Sequence, residues 1–178
     1  MSKLTPVQQK FVLHWGEMGT RWGINRTVAQ IHALLYVAPR PLNAEEIVDA
    51  LGVARSNVST SLRELQNWGL AKITHVLGDR RDHFEIVTSN VWEMFRIVLD
   101  ERKKREIDPT VEVLRDCVKQ AEEGGKPEAM TAERLAAMKE FFETMSVWYD
   151  QVDQLPTSGI LKFVKAGQTL RKLFGAGS

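Results

Sequence analysis

The sequence predicts a mainly α-helical fold with one β-hairpin, arranged as a winged helix-turn-helix with further helices at both ends. Three short helical segments, 27–38, 44–51 and 54–68, follow one another closely. A hairpin with strands 70–76 and 83–87 comes directly after them. Apolar residues recur at helical spacing in the segments and alternate with polar residues in the second strand, as amphipathic helices and half-buried strands require.

Capping residues mark where the predicted helices begin and end. Thr5 is followed by Pro6 and, three positions on, by Gln8, which predicts a capping box at the start of the first helix. Asn43 and a glutamate three positions later predict a second capping box in front of the segment 44–51. Gly52 then supplies the left-handed residue that ends this helix.

The segment 54–68 has one apolar face and one polar face. Val58, Leu62 and Leu65 cluster on one side at helical spacing. The other side is rich in Ser, Asn and Thr, whereas an ordinary solvated helix face favours Glu and Lys because they propagate helices better. We therefore predict a recognition helix that enters the major groove of duplex DNA, with a solvated polar face as the alternative. The predicted DNA-contacting residues on it are Arg55, Ser56, Asn57, Ser59, Thr60 and Arg63.

The hairpin predicts a second DNA contact through Arg80 and Arg81. Residues 78–81 are expected at its tip, where a wing can lay arginines along the phosphate backbone or into the minor groove. Both arginines stand between Asp79 and Asp82, so a locally neutralised loop is the alternative interpretation. The two interpretations are compatible, because an acid can brace an arginine that contacts DNA.

Composition narrows the class of protein. The 178 residues have a formal net charge of +1 and contain no apolar run of the length that spans a membrane, about 18 residues or more. With no apolar signal region at the N-terminus and a single cysteine, a cytoplasmic protein without membrane contact is expected. Residues 1–105 have 15 Lys and Arg against 11 Asp and Glu, while residues 106–178 have 9 against 12, so the predicted DNA-binding part is the more basic one.

Three regions are predicted along the chain. Residues 1–26 form an N-terminal helix for dimerisation or packing, residues 27–100 the winged helix-turn-helix, and residues 101–178 a helical dimerisation and effector region. The stretch 90–122 fits either one helix kinked near Pro109 or two separate helices.

Two further helices are expected towards the C-terminus. The first runs from about residue 131 to residue 152. The second, 160–174, is amphipathic and is expected to be a dimerisation arm, with a membrane-surface helix as the alternative. The basic cluster 102–105 is expected to be solvated, with a phosphate contact as the alternative.

Motifs for catalysis or metal binding are not found in the sequence. The four histidines lack metal-ligand spacing to a cysteine or paired carboxylates, although His75 and His83 are expected to face each other across the hairpin. Cys117 lies in register with Leu114 and Val118, which predicts a buried structural thiol. With no nucleophile motif or phosphate loop, we predict neither an enzyme nor a bound metal or cofactor.

The residues of the helix-turn-helix and wing resemble a known family. Residues 42–70, 78–82 and the run from Val87 into the next helix are similar to the MarR superfamily of winged-helix regulators. Two further parts of the sequence resemble the GbsR branch of that superfamily. One is the segment 102–109, and the other is a set of N-terminal residues: Phe11, Trp15, Gly16, Gly23, Asn25 and Arg26. The resemblance implies a homodimeric bacterial or archaeal transcription factor, by default a repressor, whose terminal helices form the dimer interface and which binds a near-palindromic operator. The alternative is a winged-helix protein-interaction module without direct DNA binding.

The GbsR branch is associated with choline and glycine betaine, so the resemblance also implies a quaternary ammonium effector. Aromatic rings bind such cations through cation–π attraction. Five aromatic residues outside the recognition helix are candidates for an effector cage: Trp15, Trp22, Trp92, Trp148 and Tyr149. Ordinary core and dimer packing is the alternative role for these rings.

Overall fold

The computed structural model describes residues 4–123 and 129–156, together with residues 158, 159, 162 and 166. The chain forms two compact units, Met1–Ile97 and Val98–Ser178. The three regions predicted from the sequence stay a prediction, because a division into compact units does not assign roles to them.

The first unit is mainly helical with one small sheet. In chain order its elements are α1 (Pro6–Arg21), α2 (Arg26–Val37), β1 (Leu42–Asn43), α3 (Ala44–Leu51), α4 (Arg55–Asn67), β2 (Ala71–Val76) and β3 (Asp79–Ile86), and α5 (Val91–Arg102) begins in it. Helix α2 packs against α1, α3 and α4. The three strands form an antiparallel sheet in the order β1-β3-β2. The predicted winged helix-turn-helix fold is confirmed.

Strand β1 was not predicted from the sequence. It has two residues, and it pairs with β3 so that Leu42 lies opposite Phe84 and Asn43 opposite His83. Two residues are too few to show an alternating pattern, so this strand exists only through its tertiary pairing. Its effect is to tie the start of α3 to the wing.

The core of the first unit lies between α2 and the helix-turn-helix. Its largest fully buried apolar side chains come from several helices. They are Val12 of α1, Val28, Ile31 and Leu34 of α2, Ile47 of α3, and Val58 and Leu65 of α4. The predicted apolar face of residues 54–68 is therefore the face that docks α4 on its own domain. Its opposite side faces outward.

The predicted capping boxes are present. The Gln8 backbone N–H donates to Thr5 Oγ1 at 3.3 Å, and the Thr5 N–H donates to Gln8 Oε1 at 3.0 Å. At the start of α3 the Glu46 N–H donates to Asn43 Oδ1 at 3.0 Å, and the Asn43 N–H donates to Glu46 Oε2 at 2.9 Å. Gly52 follows α3 in the left-handed conformation, with φ of 64°.

The hairpin differs from its prediction in two ways. Leu77 and Gly78 form the tip, and Arg80 and Arg81 lie on β3 instead, because Gly78 at φ of 86° allows pairing to continue as far as Val76 and Asp79. The expected histidine pair is also wrong. His83 lies opposite Thr74 and is buried, whereas His75 is exposed.

The stretch 90–122 is one continuous helical run rather than two separate helices. Helix α5 leads into a π-helical turn, Lys103–Ile107, and then into α6 (Asp108–Glu123). In that turn the Asp108 N–H donates to the Lys103 carbonyl, five residues back. Pro109 has no N–H and its ring would collide with the carbonyl of Arg105 in a regular helix, and the wider π turn relieves this conflict.

The second unit also contains α7 (Ala129–Asp153), which packs against α6 and agrees with the helix predicted over 131–152. The predicted helix 160–174 lies outside the described residues, apart from two isolated positions. Cys117 on α6 is half-buried rather than buried. Among the described residues, no helix has the length and apolar character needed to cross a membrane.

Candidate nucleic-acid interface

The outward side of α4 presents the polar residues singled out from the sequence. Val58, Leu62 and Leu65 are at most 2% exposed, which fixes the helix by its inner face. All eight predicted DNA-contacting residues are exposed: Arg55, Ser56, Asn57, Ser59, Thr60 and Arg63 on α4, with Arg80 and Arg81 on β3.

In the first turn of α4, no capping side chain accepts a hydrogen bond from the backbone N–H groups. Its N-cap residue is Ala54, which cannot accept a hydrogen bond through its side chain. The free N–H groups and the helix dipole at this end favour an anion such as a phosphate. Arg55 and Ser56 lie in that turn, so their side chains add to the same surface.

Two of the arginines on this surface have no partner within the described part of the chain. Neither Arg63 nor Arg80 forms a salt bridge or a side-chain hydrogen bond with any residue described. Their guanidinium groups can therefore bind an external acceptor without first breaking an internal ion pair.

Arg81 is held by Asp79 on the same strand. The Arg81 Nε lies 2.9 Å from Asp79 Oδ1, and the Arg81 backbone N–H donates to the same oxygen at 3.0 Å. These hydrogen bonds from Arg81 hold the pKa of Asp79 well below its ordinary value. His83 Nε2 lies 3.5 Å from Asp79 Oδ2, and Nδ1 of the same ring lies 2.9 Å from the Arg81 carbonyl oxygen. The guanidinium group is thus both partly neutralised and fixed in direction.

Arg55 is also paired, with a residue that was not singled out from the sequence. Its Nη1 forms a salt bridge with Oε1 of Glu45 in the first turn of α3. The two residues are ten positions apart on different helices, so helical spacing does not reveal the pair. In the sequence, Glu45 is marked only as one of two acids in the first turn of α3.

A groove of about 350 Å³ lies between α4 and the wing. Leu62, Ile73 and Phe84 contribute apolar lining, and Ala44 of α3 lies at one side. The charged residues that line it are Glu45, Arg55, Arg63, Arg81 and Asp82. The recognition helix and the wing therefore share one charged groove, in which arginines outnumber acids.

The basic cluster 102–105 is paired with the acids of its own unit. Lys103 lies 3.0 Å from Asp108 and 3.3 Å from Asp150, which raises its pKa. Arg102 pairs with Glu106, Lys104 with Asp100, and Arg105 with Glu101. This agrees better with a structural role in the helical unit than with a phosphate contact.

The five candidate effector aromatics fall in both units. Trp15, Trp22 and Trp92 belong to the first, and Trp148 and Tyr149 to the second. Trp22 and Trp148 are each 49% exposed, and Trp15 lies 5.4 Å from Phe11 between ring centres. The effector site stays a prediction. In the described ranges, no three His, Cys, Asp or Glu side chains are grouped to hold a metal ion.

Comparison with known proteins agrees with this geometry. The family model of the MarR family matches residues 22–82, a segment that begins just before α2 and ends in the wing. No curated protein matches the chain. A solved structure described as a transcriptional regulator has a TM-score of 0.64 and 21% identity, covering 83% of this chain and 96% of that one. At this identity the similarity shows a shared fold.

Two other solved structures are more distant. A point mutant of S. aureus MepR, bound to an oligodeoxyribonucleotide, has 17% identity and a TM-score of 0.39, covering 78% of this chain and 92% of its own. The transcriptional regulator Tm0710 from Thermotoga maritima has 20% identity and a TM-score of 0.38, covering 80% and 91%.

The fold and its outward-facing helix define a winged helix-turn-helix protein. The segment that matches the MarR family covers fewer than half of the residues, so the similarity is confined to the winged helix-turn-helix. MarR-family regulators are DNA-binding proteins without enzymatic activity, which agrees with the expectation that this chain is not an enzyme. The assignment to the GbsR branch stays a prediction.

Proposed function

We propose that this protein is a sequence-specific DNA-binding transcriptional regulator that acts as a homodimer on a near-palindromic operator. The observation that carries the proposal is the exposed hydroxyl- and amide-rich side of α4 beside a groove lined by Arg55, Arg63 and Arg81. The MarR-family match over residues 22–82 supports the same conclusion.

In this proposal α4 enters the major groove, because its short side chains let the helix approach the base edges closely. Arg63 is long enough to reach a guanine edge or a phosphate, and Asn57 suits adenine. Arg80 and Arg81 extend from β3 to the phosphate backbone or to the adjacent minor groove. A second copy places its own α4 one helical turn away, about 34–36 Å along the duplex.

The exposed side of α7 supports pairing of two copies. Met138, Phe141, Met145 and Trp148 are 41–60% exposed and are spaced alternately by three and four residues. Apolar residues at this spacing form the seam between paired helices. We assign this stripe, with the terminal helices, to the homodimer.

Regulation follows from the same arrangement. A dimer bound at a promoter blocks polymerase, so repression is the proposed default in the cytoplasm. A small-molecule effector can change the spacing of the two DNA-binding heads only if it binds one arrangement of the dimer more tightly than the other. A quaternary ammonium compound held by the aromatic residues is the proposed class of effector.

The direct test is a gel shift with the DNA upstream of the protein's own gene at two salt concentrations, about 50 and 200 mM. Binding that weakens steeply with salt is expected, because phosphate contacts release counterions. An unrelated duplex of equal length serves as the control. Failure to bind either duplex at the lower salt would contradict the proposal and favour a protein-interaction module.

A further inference from the structure

Glu45 is one of two acidic residues, with Asp82, that line a groove otherwise rich in arginine. It lies in the first turn of α3, and its carboxylate accepts a hydrogen bond from Arg55 at the start of α4. The side chains of Glu45 and Arg55 are 52% and 54% exposed. The pair is therefore open to solvent and accessible to DNA.

The Glu45 carboxylate stays ionised because several donors surround it. A hydrogen bond from its own backbone N–H, the hydrogen bond from Arg55 and the nearby charge of Arg81 hold its pKa below the ordinary value. Glu45 thus interacts electrostatically with Arg55 on α4 and with Arg81 on the wing. It lines the groove together with these two and Arg63.

The groove between a recognition helix and a wing is where the sugar–phosphate backbone passes when both elements contact a duplex. A phosphate there meets Arg55 already bonded to a carboxylate. It has to displace the Glu45 carboxylate from Arg55 and then lie close to the same negative charge. Phosphate binding at this point is weaker than three arginines alone would make it.

We propose that Glu45 is a specificity-determining positioning residue, which holds Arg55 in the direction used on the operator and competes with the phosphates that any duplex offers. The inference rests on the proposed DNA-binding function and assigns a role to a residue outside the DNA-contacting set.

The physical reason concerns the two kinds of complex. Non-specific binding comes almost entirely from phosphate contacts, so each arginine occupied by an internal carboxylate lowers it. In the operator complex Arg55 is already oriented, so less conformational freedom is lost on binding. A built-in competitor therefore lowers the affinity for wrong sequences more than the affinity for the right one, which is one of the two ways in which proteins achieve specificity.

The test compares the full-length protein with its Glu45→Gln variant on operator and on unrelated duplexes across a range of salt concentrations. Affinity for unrelated DNA is expected to rise about three- to tenfold at low salt. The slope of log K against log salt should steepen by about 0.9, which corresponds to one additional phosphate contact. The ratio of operator to non-specific affinity should fall by a similar factor.

Two matched variants separate positioning from a simple change of charge. Asp49→Asn makes the same charge change on the same helix, at an exposed residue that forms no salt bridge within the described ranges. In an Arg55→Gln background, Glu45→Gln should change non-specific affinity no more than Asp49→Asn does. Circular dichroism checks that each variant is folded.

The possible failures are distinguishable. If the wild-type protein binds its operator specifically but Glu45→Gln behaves like Asp49→Asn, the role of Glu45 is refuted and the DNA-binding function stands. The role is refuted equally if the effect of Glu45→Gln persists without Arg55. Absence of any binding by the wild-type protein refutes the function itself.

Discussion

Replacing Arg63 with alanine should reduce operator binding without changing the stability of the protein. Arg63 is exposed on α4 and forms no salt bridge among the described residues. Alanine is also the best helix former, so the free energy of unfolding should change by less than about 0.5 kcal/mol. The entire change in binding can then be assigned to the contact with DNA.

The expected loss follows from the geometry of a guanidinium group in the major groove. A two-pronged contact with a guanine edge is worth about 1–3 kcal/mol, or roughly five- to 150-fold in affinity. Fluorescence anisotropy should be measured on the operator and on variants with one base pair changed at a time. If Arg63 contacts a base, specificity should relax at a single position of each half-site.

Arg21→Ala is the matched control, because Arg21 is an exposed arginine on α1, away from the recognition helix. It removes the same charge and should leave operator affinity within about twofold. An equal loss on every sequence, with a shallower salt slope, would show that Arg63 contacts a phosphate instead. If neither Arg63→Ala nor Arg80→Ala alters operator binding, the assigned surface is wrong.

Four further predictions address the wing, the core and the dimer. Arg80→Ala should weaken binding to all duplexes alike and make the salt slope shallower by about 0.9, as measured by anisotropy across salt concentrations. Gly19→Ala should destabilise the fold by about 1–3 kcal/mol in urea unfolding, because the new Cβ would lie 2.5 Å from the Cβ of Ala29, and an unchanged midpoint would refute this close packing of α1 on α2. His32 is buried, and its Nε2 has no hydrogen-bond partner among the described residues. Burial lowers the pKa of His32 to about 4, so the neutral form is favoured in the folded state. The contribution of His32 to the free energy of unfolding is fully present above its ordinary pKa of 6.5. It is lost as the pH falls towards 4, by about 3 kcal/mol in all. His32→Leu should flatten this pH dependence in unfolding experiments. Phe141→Glu should convert the proposed dimer to a monomer in light scattering, and a persistent dimer would exclude the α7 stripe from the interface.

Local interactions account for the features of the fold that were predictable from the sequence. The capping boxes at Thr5 and Asn43 involve residues three positions apart, so they form wherever the chain turns into a helix. The inward and outward sides of α4 follow from helical spacing alone, since burial of Val58, Leu62 and Leu65 orients the helix. The prediction that Arg63 and its neighbours face outward came from the same spacing.

Other features depend on contacts that sequence spacing does not record. Strand β1 exists because Leu42 pairs with Phe84, and the wing tip lies at Leu77 because the pairing of β2 with β3 extends further than the polar residues suggested. From the sequence, Pro109 allowed either a kinked helix or two separate helices. The π turn before it keeps the helical run continuous.

The division is clearest at the proposed DNA-binding surface. The sequence by itself determined that α4 has an outward polar side, because side-chain direction along a helix is set by the 3.6-residue repeat. The tertiary structure decided which of the arginines already form an ion pair within the protein. Arg55 meets Glu45 only because the turn at Gly52 sets the direction of α4 relative to α3, and no pattern of residue types states how two helices cross.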